Sequence, residues 1–305
     1  MIRAEGLTKH FGDTVAVDGL TFDIRPGVVT GFLGPNGAGK STTLRMILGL
    51  DHPTAGTVSV GGTRYRDLAA PMREVGALLD AGAVNGKLSA RAHLRWLADA
   101  GGLPRGRVAE VLEQVGLADV AGRRVGGFSL GMRQRLGIAA ALLGDPATLL
   151  FDEPMNGLDP EGIRWIRTLL QRFAAEGRTV VVSSHLMHEM EETADHVLVI
   201  GRGRLIADTS TAEFVQRAAG AHVRVRSPDA GRLGAVVDAA GGVVTADGAD
   251  GALAINGLSA ALIGDLAAEH GLRLHELAPQ RASLETAFME LTRDSVEYHP
   301  EEVPA

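Results

Sequence analysis

The chain contains no cysteine, which excludes a disulfide framework, thiolate-bound zinc and any thiol nucleophile. Aromatic residues make up only 4%, so the core has to be aliphatic. Lysine occurs only at Lys9, Lys40 and Lys87, the other basic residues being arginine; a lysine inside a motif is therefore conspicuous. There is no run of about 18 apolar residues, so no segment is expected to cross a membrane as a helix. Met1–Lys9 lacks the apolar stretch of a secretory leader, which together with the missing cysteine points to a cytoplasmic chain. The formal net charge of −7 gives none of the basic excess that nucleic acid selects for, so no nucleic-acid partner is expected.

What remains is an ordinary globular composition, 45% hydrophobic and 22% charged over 305 residues, a length that suggests two domains. Glycine is abundant, 40 residues against the roughly 21 that average usage gives, so some backbone positions require it. No internal repeat of about 20–50 residues is apparent.

Short strands are expected at Ile2–Leu7, Val15–Val17, Leu20–Ile24, Val28–Leu33 and Thr57–Val60. Helical periodicity marks Lys40–Leu50, Ser89–Ala100 with Ser89 as N-cap, Val108–Val115, Leu130–Leu143 and Gly162–Ala175. Thr148–Phe151 and Thr179–Val182 are continuous apolar strands, as in a parallel sheet buried on both faces. Near residue 210 the texture changes. Strands at Val223–Arg226, Val243–Thr245, Leu253–Ile255 and Leu272–Leu277 alternate with helices at Gly231–Ala240, Ser259–Glu269 and Leu284–Leu291. That order predicts a small ferredoxin-like α+β unit with one extra helix. The expected division is residues 1–210, residues 220–293 and an acidic, proline-containing tail over 294–305 that is expected to be disordered.

Gly34-Pro35-Asn36-Gly37-Ala38-Gly39-Lys40-Ser41-Thr42 follows a strand and opens a helix, the context of a phosphate-binding loop. Its glycines let successive N–H groups turn toward phosphate oxygens, and the helix N-terminus adds its dipole. Lys40 is expected to reach the β- and γ-phosphates and the Ser41 hydroxyl to ligate Mg²⁺. Leu149–Glu153 is an apolar strand ending in two carboxylates. Strand alternation sends them in different directions, Asp152 toward the metal and Glu153 toward an attacking water.

Val125–Arg135 lies between these motifs and opens a helix, and here the chain resembles the ATP-binding cassette (ABC) transporter ATPases. Phe128–Arg135 is similar to their signature, Gly157-Leu158-Asp159-Pro160 to their D-loop, and Ser183-Ser184-His185 to their switch-histidine loop, in matching order across residues 1–205. The resemblance implies a RecA-like core, an antiparallel β subdomain and a helical signature subdomain. It implies ATP with Mg²⁺, bound by a head-to-tail homodimer in which Ser129 and the Gly131 N–H face the γ-phosphate held by the partner. It further implies that His185 supports Glu153, that Asp159 links the two sites and that Phe11 stacks on adenine.

Two departures stand out. The signature has Leu130 and Met132 where the family commonly has Gly and Gln, and Asp80 stands at the position of the family's loop glutamine. Asp80 is a candidate metal or water contact, or a turn aspartate. The motif variants and the C-terminal unit resemble the drug- and antibiotic-resistance branch. That branch implies a separately encoded membrane permease, with this chain peripheral on the inner face of the cell membrane. Val84, Leu88, Leu94 and Trp96 are candidates for permease docking or for core. Competing readings are an ABC-type ATPase acting without a permease and a nucleotide-dependent binding module.

Overall fold

A computed structural model describes residues 1–218, 222–247, 251–280, 284, 285, 288 and 289. These fall into two compact units, Met1–Thr211 and Ala212–Leu291.

The first unit begins with β1 (Ile2–Phe11) and β2 (Thr14–Ile24), then β3 (Val29–Leu33), α1 (Lys40–Ile47) and β4 (Ala55–Val60). A short α2 (Pro71–Glu74) leads to β5 (Val75–Leu78), followed by α3 (Ala90–Ala100), α4 (Arg107–Gln114) and α5 (Leu130–Leu142). Then come β6 (Thr148–Asp152), α6 (Pro160–Ala175), β7 (Thr179–Ser184), α7 (Met187–Thr193), β8 (His196–Gly201) and β9 (Arg204–Ser210). Six strands form one sheet in the order β5-β6-β7-β3-β8-β9, parallel except for β9. Every residue of β3 and β7 is buried, which is why Val180–Val182 reads as a continuous apolar run, and the polar Thr30, Thr179, Ser183 and Ser184 are held inside as well. A second, antiparallel sheet has the order β2-β1-β4.

The two sheets share one core, in which Leu7, Leu20, Phe22, Phe32, Leu44, Leu150 and Leu198 pack together. Phe22 and Phe32 meet at 6.0 Å between ring centroids. Burying each such side chain contributes about 1.5–3 kcal/mol, so this interior anchors β3 and the loop that leaves it. Sheet order brings the carboxyl ends of β6, β7 and β3 side by side, with Asp152 opposite Ser183 and Ser184 opposite Leu33. Ligands of open α/β sheets bind at such a crevice.

Several expectations need correction. Val15–Val17 and Leu20–Ile24 are one strand, because Asp18-Gly19 forms an irregularity and not a turn. Gly19 takes φ 67°, and its N–H donates to Thr8 Oγ1 at 3.0 Å across the ladder. Strand β5 lies where the sequence reading assigns none. It is only four residues long and contains Gly76, where a Cβ would come within 2.0 Å of the Ala141 carbonyl oxygen on α5. The stretch from α7 to β9 is likewise regular where no element was expected.

The second unit includes α8 (Thr211–Ala218), whose first residue belongs to the preceding unit, then β10 (His222–Arg226), α9 (Ala230–Ala239) and β11 (Val243–Asp247). These are followed by β12 (Ala252–Asn256), α10 (Ala260–Glu269) and β13 (Glu276–Gln280). The sheet is antiparallel in the order β11-β12-β10-β13, the ferredoxin-like arrangement. Contrary to the sequence reading, the unit holds a structural repeat. β10 and β12 start thirty residues apart, as do α9 and α10, and Gly241 and Gly271 follow the two helices at positive φ. Few side chains repeat in identity; the shared feature is which positions are buried, Leu233 and Val237 matching Ile263 and Ala267.

The last strand is displaced from Leu272–Leu277 to Glu276–Gln280. Leu272 instead closes α10, its N–H donating to the Ala267 carbonyl at 2.8 Å while its side chain enters the small core. The helix expected over Leu284–Leu291 lies partly, and the tail over 294–305 entirely, outside the described residues.

Candidate nucleotide site

The loop leaving β3 is shaped by contacts that only glycine tolerates. At Gly34 a Cβ would lie 2.6 Å from the Ile200 carbonyl oxygen, and at Gly39 (φ 101°) 2.5 Å from that of Ala16. Gly39 precedes α1 without a side-chain cap, and the first turn of that helix carries no acidic residue. Its N-terminal N–H groups are left for an anion. Lys40 is buried and folds back so that Nζ donates to the carbonyls of Gly34 at 2.6 Å and Pro35 at 3.2 Å. Burial pushes its pKa down, while the charges of Glu153 and Asp152 oppose that shift.

A cleft of about 290 Å³ lies over the loop, lined by Ala16, Pro35, Asn36, Gly37, Ala38, Gly39, Lys40, Ser41, Thr42, Leu79, Asp152 and Glu153. The Asp152 carboxylate accepts a short hydrogen bond from the Ser183 hydroxyl. Ser41 and Asp152 thus give the cleft one hydroxyl and one carboxylate. Among the described residues no group of three His, Asp or Glu side chains could hold a metal ion. Hard oxygen donors in this number suit Mg²⁺, which normally takes one or two protein ligands and completes its shell from phosphate and water.

Glu153 occupies a backbone conformation uncommon for a side-chain-bearing residue, φ 50°, costing about 1–3 kcal/mol. Its N–H donates to both Oγ and the carbonyl of Ser183, at 3.0 and 3.2 Å. Its carbonyl accepts from Gln134 Nε2 at 3.2 Å. The carboxylate Oε2 lies 2.9 Å from His185 Nδ1. With Nδ1–H donated to Glu153, His185 donates through Nε2 as well only in its imidazolium form. Gln134 was not singled out by sequence reasoning, and Ser183 entered only as part of the Ser183-Ser184-His185 stretch. The available signal was a polar residue inside a buried strand and another inside the buried face of a helix, each without a periodic counterpart.

The signature residues stand elsewhere. Ser129 caps α5, its Oγ accepting from the Met132 N–H at 3.2 Å, so its own hydroxyl proton remains available. Leu130 is 48% exposed and lies over Gly157, where a Cβ would come 2.1 Å from Leu130 Cδ2. The variant leucine is therefore directed onto the D-loop glycine. Neither Ser129 nor Gly131 lines the phosphate cleft. Asp159 Oδ1 accepts from the Gly162 N–H at 2.8 Å and caps α6.

Three candidates fare differently. Asp80 does not line the cleft; Leu79 does. The Asp80 carboxylate accepts from the Gly82 N–H at 2.6 Å and its carbonyl from Ala83, so its side chain closes a turn. Phe11 ends β1, is 50% exposed and has Lys9 Nζ 4.9 Å from its ring centroid; it too is absent from the cleft lining. Leu94 is fully buried, whereas Trp96 is 61% exposed on the same helix beside Arg91 and Arg95.

The family model described as ABC transporter matches residues 17–156, and a domain of unknown function matches residues 221–285. The bacitracin transport ATP-binding protein BcrA of Bacillus licheniformis is 42% identical over 211 residues, covering 68% of this chain and 69% of that protein. The daunorubicin resistance ATP-binding protein DrrA3 of Streptomyces coeruleorubidus is 33% identical over 308 residues, 96% of each chain. Among solved structures, a dimeric ATP-binding cassette in a post-hydrolysis state, bound to ADP and Pi, superposes with a TM-score of 0.63 at 26% identity. That match spans 69% of this chain and 99% of the cassette.

Proposed function

The chain belongs to the ATP-binding, ATP-hydrolysing subunits of ABC transporters, and from that premise we propose how its residues divide the work. Residues 1–210 are the motor and residues 220–293 an accessory unit. The backbone of Gly34–Thr42 and Lys40 holds the phosphates of ATP. Ser41 and Asp152 hold Mg²⁺, which supplies neutralisation of phosphate charge. Glu153 takes the proton of the water that attacks the γ-phosphorus as the bond to the bridging oxygen breaks. His185 orients Glu153 and contacts the γ-phosphate, while Phe11 stacks on adenine.

The observation that carries this reading is one juxtaposition: Lys40, Asp152 and Glu153 line a single cleft at the carboxyl ends of three adjacent strands. Ser129 and Gly131 lie outside that cleft with donors unspent. A second copy, placed head to tail, supplies them to the γ-phosphate, and Asp159 lies at the junction.

No helix among the described residues is long and apolar enough to cross a membrane, and we assign the membrane path to a separately encoded multi-span protein. The exposed face of α3 around Trp96 is its docking surface, with the chain held peripherally on the inner face of the cell membrane. The relatives named for bacitracin transport and daunorubicin resistance support export of a drug, antibiotic or other hydrophobic compound.

The test is accumulation of a fluorescent hydrophobic drug, daunorubicin, in cells expressing this chain with the multi-span protein encoded beside it. Accumulation should fall only when both are present, and Glu153→Gln should restore it to the level of cells lacking both. A fall that persists with Glu153→Gln, or without the membrane protein, contradicts the reading.

A further inference from the structure

We propose that Gln134 is a positioning residue for Glu153, through which the helix bearing the signature sets the aim of the general base. The inference rests on the reading of Glu153 as that base.

Gln134 is 4% exposed, and the residues buried after it on α5 are Leu136, Gly137, Ile138, Ala139, Ala141 and Leu142. An amide in such surroundings is retained at a cost unless it is hydrogen-bonded. Its donor goes to the Glu153 carbonyl, 3.2 Å away. Glu153, in turn, holds a left-handed backbone conformation that persists only where neighbours over-determine it. Two distant residues do so, beside the local Asn156 N–H, which also donates to the Glu153 carbonyl at 3.2 Å. Ser183 on β7 receives the Glu153 N–H through both its hydroxyl and its carbonyl, and Gln134 holds the carbonyl on the other side of the same Cα. Fixing both peptide planes fixes the direction of Cβ, and with it the carboxylate that meets His185 Nδ1 at 2.9 Å.

The two clamps differ in origin. Ser183 is paired with Asp152 inside the buried parallel sheet and is part of a rigid frame. Gln134 belongs to the helix capped by Ser129, whose exposed N-terminus is the part offered to a partner's nucleotide. The same helix reaches the segment after Glu153 a second time, where Leu130 covers Gly157. A displacement of α5 is therefore delivered to Glu153 of its own chain, so that engagement of the signature and aim of the base are linked.

Gln134→Leu and Gln134→Met keep the volume and remove the donor. Each should lower kcat for ATP hydrolysis by about ten- to a hundredfold, as misplacement of a reacting group does, with ATP affinity within about twofold of wild type. Gln134→Glu supplies a donor only when protonated, and burial raises a carboxyl pKa. Its kcat relative to wild type should therefore rise as pH is lowered from about 8 to about 6, while the ratio for Gln134→Leu stays flat.

Wild-type kcat in a folded Gln134→Leu or Gln134→Met chain overturns the inference. So does an equal loss of affinity and kcat, or a flat ratio for Gln134→Glu. Glu153→Gln is run alongside. Turnover surviving in that variant removes the base assignment itself, whereas an inert Glu153→Gln beside fully active Gln134→Leu and Gln134→Met removes only the positioning role.

Discussion

The phosphate loop and the signature turn both present a helix N-terminus, yet they are built in opposite ways. At the loop, Lys40 is buried against its own carbonyls, two glycines admit no Cβ, and Asp152 and Glu153 complete a cleft. At the signature, Ser129 caps α5 beside a half-exposed Leu130, and its residues do not line that cleft. In the proposed division, one half-site recognises a phosphate chain by itself. The other, as we propose, holds donors in place for a phosphate bound by a second copy. Strain and buried charge collect around Lys40 and Glu153 but not around Ser129, as the proposed division requires, since under it only the first region has to fix a reacting geometry before a partner arrives.

The comparison can be broken most severely at Glu153. Glu153→Gln keeps the shape and removes the proton acceptor, so turnover should fall by about a hundredfold or more while ATP stays bound, read by phosphate release and by equilibrium binding. Unchanged turnover would move the base elsewhere. Next in size is Lys40→Ala, which removes a charge-assisted contact to phosphate. ATP affinity should weaken by about tenfold or more, measured by titration with a fluorescent ATP analogue. Unchanged affinity would count against the loop as the phosphate site.

The loop was legible in the sequence because its chemistry is local: glycines, lysine and hydroxyls stand in a row, and the backbone they require permits few alternatives. The place of Asp152 and Glu153 at the end of a buried strand was legible because such a strand reads as an apolar run and its polar end is conspicuous. The cap at Ser89 was equally local, accepting from the Ala92 N–H three residues on; the matching cap at Ser129 was not read from the sequence.

What depends on distant partners was not legible. Gln134 and Ser183 act on Glu153 from 19 and 30 residues away in the chain, and neither leaves a periodic signal. Asp80 stood at a meaningful spacing, but whether its carboxylate turns to the cleft or to its own loop is decided by the Gly82 N–H. Leu94 and Trp96 are both apolar and two residues apart, and only the packing of α3 sends one into the core and the other to the surface. In the second unit, Leu272 read as the start of a strand because a cap residue that is also apolar imitates strand alternation. The thirty-residue repeat was hidden because burial repeats there and residue identity largely does not.

The central claim, that each site joins the phosphate loop of one copy to the signature of another, is tested most directly by mixing two inactive variants. Lys40→Ala breaks the loop. Ser129→Asp keeps a good helix cap but sets a carboxylate against the γ-phosphate. Either homodimer has two broken sites, whereas a mixed dimer has one site with an intact loop and an intact signature. Equal amounts of the two variants, each inactive alone, should regain about a quarter of wild-type ATP turnover when mixed under conditions that allow exchange, since half of the dimers are mixed and each has one working site. Turnover no greater than the sum of the separate variants, with mixed dimers shown to form, would contradict it.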